Sequence, residues 1–271
     1  MAAMTAGRSW TRDELLVALN LYHKLPFGQL MSTNTAIEQL AVKLGRTPSS
    51  VAMKLSNMAS LDPIHIQRGV SGLPGASKLD RQVWQEYHAA PDEAVVESEE
   101  RLRDLFGVAA HEALEVRPDV GFQVIEDASG VETETRTTRV ERTKQQYFRG
   151  AVLNNYARTC AVSGLRQPEL LVASHILPWA RFPKHRLDVR NGICLSSLYD
   201  RAFDRGLISF DSDLRLLVSE KLRASVDAPS FDRFFACFDG TSLRLPDKSA
   251  PPDSGYLQRH RVTWGFAEKS A

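Results

Sequence analysis

Between residues 170 and 206 the chain has room for one main arrangement, a strand, a loop, a second strand and a helix. Leu170 to Ile176 is an apolar strand that places His175 near its exit, and Pro178 to Asp188 is a long basic loop holding Arg181, Lys184, His185 and Arg186. Gly192 to Leu195 forms a second short strand, after which Ser196 or Ser197 can cap a helix that runs to Gly206. Asn191-Gly192 alone would signal a hairpin turn, but Ile193 and Leu195 lead on into a helix instead. Trp179, just after Pro178, is expected to pack.

On that helix Asp200 and Asp204 stand four residues apart and share a face. Two such carboxylates repel unless a cation lies between them, which a divalent metal with oxygen ligands or salt bridges to Arg201 or Arg205 would supply. A histidine of near-neutral pKa and one divalent ion suffice for phosphodiester cleavage. The histidine takes the water's proton; the ion meets a non-bridging oxygen and the leaving oxygen.

The histidine, an asparagine sixteen residues later and a helical oxygen ligand nine residues after that resemble the ββα-metal fold of HNH nucleases over about sixty residues. The resemblance implies that His175 is the general base, that Asn191 fixes its imidazole and that Asp200 holds the metal. Many family members carry Asp, Glu or His directly before the base as a second ligand, where this chain has Ser174. Either the Ser174 hydroxyl coordinates, Asp204 completes the site, or water does; Asp204 is favoured. Asp200 in place of an imidazole shifts preference toward Mg²⁺ or Mn²⁺ and away from Zn²⁺ or Ni²⁺. Arg181, Lys184, Arg186, Arg190 and Arg201 surround this stretch and are candidates for phosphate contact, as are Arg158 and Arg166. Tyr256 to Arg261 resembles a terminal helix that packs on such domains, with His260 structural.

Nearer the start, apolar residues recur at helical steps in three blocks: Leu15, Leu16, Leu19 and Tyr22; Ile37, Leu40, Ala41 and Leu44; Val51, Met53 and Leu55. Thr11 N-caps the first, Pro26 and Gly28 end it, Ser32 to Asn34 can cap the second, and Gly45, Thr47 and Pro48 make a tight turn into the third. The segment from Ser9 to Met58 resembles a Myb-like, homeodomain-like trihelical module. That likeness implies that Arg46, Ser49, Ser50 and Lys54 face DNA while Val51 and Leu55 pack inward. A small helical bundle that docks on protein is the competing reading.

Charge is uneven: residues 1–90 carry nine Lys/Arg against six Asp/Glu, residues 136–223 sixteen against eight, and residues 91–135 three against thirteen. Two mildly basic ends that could meet a polyanion flank an acidic middle. The expected organisation is a helix-turn-helix-like module over 1–60, a linker and acidic connecting segment over 61–138, and a nuclease domain over 139–271. Helices are expected near 79–89, 92–106 and 140–156, with one strand near 121–125. The fold class is α+β and predominantly helical.

With 43% hydrophobic and 25% charged residues the composition is that of a globular protein. No run approaches the roughly 20 apolar residues of a membrane helix, and the start lacks a secretory-signal pattern, so a cytoplasmic setting is expected. Cys160, Cys194 and Cys237 include no CxxC pair and read as buried small hydrophobes.

The expected activity is therefore a metal-dependent endonuclease acting on DNA, taken as double-stranded, in a bacterial or phage restriction or defence role, with a homodimer plausible for paired cuts. The alternatives are a DNA-binding protein that keeps the fold as a scaffold, and a nuclease restricted to RNA or modified DNA.

Overall fold

The computed structural model describes residues 8–67, 69, 73, 75–109, 112–126 and 136–266. The chain divides into two compact units, Met1–Asn154 and Asn155–Ala271. The fold is α+β and mostly helical, with eleven α-helices and three two-stranded sheets among the described residues.

The first unit runs through α1 (Arg12–Lys24), α2 (Thr35–Leu44), α3 (Pro48–Ala59), α4 (Pro63–Gln67), α5 (Lys78–Ala89) and α6 (Pro91–Phe106), then β1 (Glu112–Arg117), β2 (Gly121–Glu126) and α7 (Arg136–Asn155). Local chemistry sets the first three helices. Thr11 and Glu14 form a reciprocal capping box, and Asn34 accepts from Ala36 and Ile37 backbone N–H. Gly45 ends α2 at φ 64°, and Thr47 caps α3 with Pro48 in its first turn. Leu15, Leu19, Ile37, Leu40, Val51 and Leu55 are fully buried where these helices meet.

Val51 and Leu55 are buried as expected, on a face of α3 that also holds Ala52, Met58 and Ala59, while Met53 of the same apolar block is 55% exposed. The helices expected near 79–89 and 92–106 are present as α5 and α6, but they pack on α1 rather than serve as a linker, and the expected boundary near residue 139 falls inside α7. The acidic middle supplies counter-charge within this unit. Its Glu97 pairs with Arg12 at 2.9 Å, its Asp92 with Lys144 at 2.9 Å and its Glu99 with Lys24, while just before it Glu86 pairs with Arg12 and Asp80 with Lys54, at 2.9 Å each. A run of like charge in sequence is thus mixed charge in space. The single strand expected near 121–125 is the second arm of the antiparallel β1–β2 hairpin.

The second unit contains β3 (Leu171–His175), β4 (Gly192–Ser196), α8 (Ser197–Asp204), β5 (Ile208–Phe210), β6 (Leu216–Val218), α9 (Glu220–Ser225), α10 (Ala228–Phe234) and α11 (Ser254–Trp264). β3 and β4 pair antiparallel, with Ser174 opposite Ile193 and His175 opposite Gly192, and α8 follows directly and packs on both strands. Tyr199, Ala202 and Phe203 are its buried face. Ser196 stands at the N-cap position without a side-chain capping bond, and Ser197 Oγ donates to the Leu170 carbonyl at 3.2 Å.

Cys160 and Cys194 are buried as expected, but Cys237 is exposed. The Cys160 sulfur accepts from the backbone N–H of Ser163 at 3.4 Å and Ser196 at 3.2 Å, tying the preceding turn to the end of β4. α11 closes the unit: His260 stacks on Phe203 with ring centroids 3.8 Å apart and planes 2° apart, in contact with Ser209 Oγ at 2.9 Å and the Phe203 carbonyl at 3.1 Å. Gly206 sits at φ 62° where any Cβ would strike the Trp264 ring, so only glycine suits both backbone and contact.

Candidate active site

His175 is the last residue of β3, at the point where the strand gives way to the basic loop. Its Nε2 lies 3.0 Å from the Arg186 carbonyl oxygen. A carbonyl can only accept, so Nε2 carries the proton and the ring's basic lone pair is on Nδ1. Burial holds the imidazole pKa below its ordinary value, and the bond to the Arg186 carbonyl opposes that shift. The shift favours the neutral ring, the state a proton acceptor needs. Trp179, expected simply to pack, stands edge-on to it at 5.3 Å and 81°, and the Arg186 guanidinium covers the Trp179 ring at 5.0 Å.

Asn191, fully buried, closes the loop. Its Oδ1 accepts from Leu177 N–H at 2.8 Å, and its Nδ2 donates to the carbonyls of Leu177 at 3.2 Å and His185 at 3.0 Å. Its own carbonyl accepts from Ile176 N–H at 2.9 Å. Asn191 thus acts on His175 through the backbone: it fixes His185, whose neighbour Arg186 holds the imidazole. Every polar atom of its amide has a partner that an apolar residue could not replace.

Asp200 is half-buried on α8, with Asp204 one turn on. The Asp204 carboxyl is held above its usual range by desolvation and by the Asp200 charge, against the pull of Arg201 and Arg205. The Asp204 residue is exposed overall, so the repulsion, which the helical spacing imposes, is the firmer of these causes. Ser174 is 2% exposed, and its Oγ has no hydrogen-bond partner among the described residues. Among the described residues no three His, Cys, Asp or Glu side chains stand close enough to hold a metal ion. The oxygen donors that the sequence offered are two carboxylates under mutual repulsion on α8 and one buried, unpartnered hydroxyl on β3. That oxygen-only chemistry fits a hard divalent ion that keeps waters and substrate oxygens in its remaining positions.

The basic residues separate into groups. Arg181, Lys184 and Arg201 are exposed, whereas Arg190 is bound to Asp188 at 2.8 Å and to Asp253 at 3.4 Å and holds the loop together. In the first unit Arg46 is 4% exposed, paired with Glu14 at 2.7 Å, bonded to the Arg8 and Ser9 carbonyls and stacked 4.0 Å from Trp10. Lys54 is buried against Asp80. Neither cation is presented to a phosphate, which corrects the expectation for both. Of the four residues expected to face DNA there, Ser49 is exposed and Ser50 half-buried.

Tyr256 and Arg259 were expected in a packing helix but not against the loop, and Asp253 was not singled out. Asp253, the N-cap of α11, and Tyr256 and Arg259 within it all touch the loop, through Arg190, His185 and Phe182 respectively. Contacts between residues so far apart in sequence leave no periodic trace.

The second unit thus carries a strand-loop-strand-helix arrangement, ββα, with a histidine at the first strand's exit. In agreement, residues 160–211 match the family model described as HNH endonuclease, a span that holds His175, Asn191, Asp200 and Asp204. No curated protein matches the chain. The match points to a nuclease, and so to a nucleic-acid substrate. No helix among the described residues is long and apolar enough to cross a membrane.

Proposed function

We propose that the second unit is a metal-dependent DNA endonuclease in which His175 deprotonates the attacking water. The observation that carries this reading is the bond from His175 Nε2 to the Arg186 carbonyl, which fixes the tautomer and leaves Nδ1 as the base. Asn191 keeps that carbonyl in place. Asp200 and Asp204, with Ser174 beside the base, would hold one divalent ion, Mg²⁺ or Mn²⁺ before Zn²⁺ or Ni²⁺. Bound there, it would supply charge stabilisation at the phosphate and the leaving oxygen.

Arg181, Lys184 and Arg201, exposed around the site, are suited to the flanking phosphates of a duplex, and Arg186 contributes through its carbonyl and its cover on Trp179. In the first unit, exposed Ser49 and half-buried Ser50 remain the candidates for a phosphate contact. A restriction or defence role follows from the family likeness, and paired cuts would ask for two copies.

Ser174, in place of a carboxylate, favours a second reading, a DNA-binding scaffold without catalysis. Supercoiled plasmid incubated with the protein and Mg²⁺ or Mn²⁺ separates them. Conversion to nicked or linear DNA that chelator abolishes supports the nuclease; binding without cleavage under every metal supports the scaffold.

A further inference from the structure

α11 does more than cover the second unit. Tyr256 Oη lies 2.9 Å from His185 Nδ1 and 3.4 Å from Asp188 Oδ2, and its ring is 5.2 Å from the His185 ring. A phenol can accept from one and donate to the other. Asp188 also accepts from Arg190 through its backbone N–H at 2.9 Å and its guanidinium at 3.1 and 2.8 Å, and the Arg190 carbonyl accepts from Asp253 N–H at 3.0 Å. Arg259 covers the Phe182 ring at 4.7 Å.

The loop gripped in this way offers two consecutive carbonyls to the site, His185 to Asn191 and Arg186 to His175. The helix itself is anchored from its other side, by buried Leu257, by His260 on Phe203, and by Arg261 donating to the Phe210 carbonyl at 2.8 Å. It therefore grips the base-bearing loop from a fixed support on β5 and the end of α8.

We infer that Tyr256 is a positioning residue for His175, acting through His185 and the Arg186 carbonyl; this rests on the reading of His175 as the base. Without the hydroxyl, His185 loses its tether, the next carbonyl can drift, and a displacement of about 1 Å at a reacting group can cost on the order of 100-fold in rate.

The test compares Tyr256→Phe, which keeps the ring, with Val262→Ala on the exposed outer side of α11. Two quantities are read: the cleavage rate and KM on plasmid, and, by NMR, solvent exchange of the His175 Nε2 proton. Tyr256→Phe should lower kcat at least about tenfold with KM within about twofold, and speed Nε2–H exchange by a similar factor. Val262→Ala should change neither.

In a His175→Ala background the added Tyr256→Phe should cost nothing further, whereas a merely structural role would add its own loss. A rate loss without change at Nε2–H, or no change in either, overturns the inference. Should the wild type cut no nucleic acid, the nuclease reading fails and the proton-exchange result still decides the positioning. If Tyr256→Phe does not fold, Arg259→Ala, an exposed residue of α11 that covers Phe182 of the same loop, is judged by the same two measurements.

Discussion

Acidification should loosen the second unit through its buried histidines, and the part due to His260 can be isolated. Its imidazole is 5% exposed, stacked on Phe203 and engaged at both nitrogens, and burial lowers its pKa to about 4 despite the Phe203 carbonyl. In the unfolded chain a histidine titrates near about 6.5. The unfolded state therefore takes the proton first. The stabilising effect of the neutral ring is complete above that value, shrinks as pH falls from about 6.5 toward 4, and is flat below.

At pH 4.5 the loss from this residue alone is about 2.5 kcal/mol relative to pH 7.5, from linkage between the two pKa values. Urea unfolding followed by hydrogen exchange of the 254–264 peptide, at both pH values, isolates it by comparison with His260→Gln, whose amide cannot titrate. The wild type should lose about 2.5 kcal/mol more than the variant over that interval. Equal losses would refute the claim that the helix is held by a neutral, buried histidine.

Three further outcomes follow from the same geometry. Asn191→Ala removes three hydrogen bonds and strands buried loop groups, so the second unit should lose about 3 kcal/mol or more in urea and its cleavage rate should fall with it. Lys54→Met leaves the buried Asp80 carboxylate without its counter-ion, so it should destabilise the first unit by about 3–5 kcal/mol, with Lys54→Met/Asp80→Asn, which keeps an acceptor for the Ser77 N–H, recovering part of the loss. If Lys54 is instead a phosphate contact, DNA affinity would drop with stability unchanged. Asp204→Asn should weaken Mn²⁺ binding about tenfold or more, read by electron paramagnetic resonance of the free ion; unchanged binding would place the ion elsewhere.

Much of the local structure was legible in the sequence because its causes are local. Thr11, Asn34, Gly45, Thr47 and Pro48 set helix ends through bonds that reach only a few residues. His175, Asn191 and Asp200 stood out because a strand-loop-strand-helix pattern fixes their order. What escaped depends on distant partners. Arg46 and Lys54 look like DNA ligands until Glu14 and Asp80 are seen to neutralise them, and the acidic stretch looks like a spacer until its carboxylates meet Arg12 and Lys24. The hold of α11 on the loop joins residues 71 positions apart, His185 and Tyr256, which no spacing rule connects.

The central claim is that His175 is the base of a nuclease site. Its most direct test is the rate of plasmid cleavage by His175→Ala beside the wild type, at saturating Mg²⁺ or Mn²⁺ and matched DNA binding. Loss of a positioned general base typically costs about 10²–10⁴-fold. A fall of that size with DNA affinity intact is the expected result, and cleavage that continues at the wild-type rate would contradict the account.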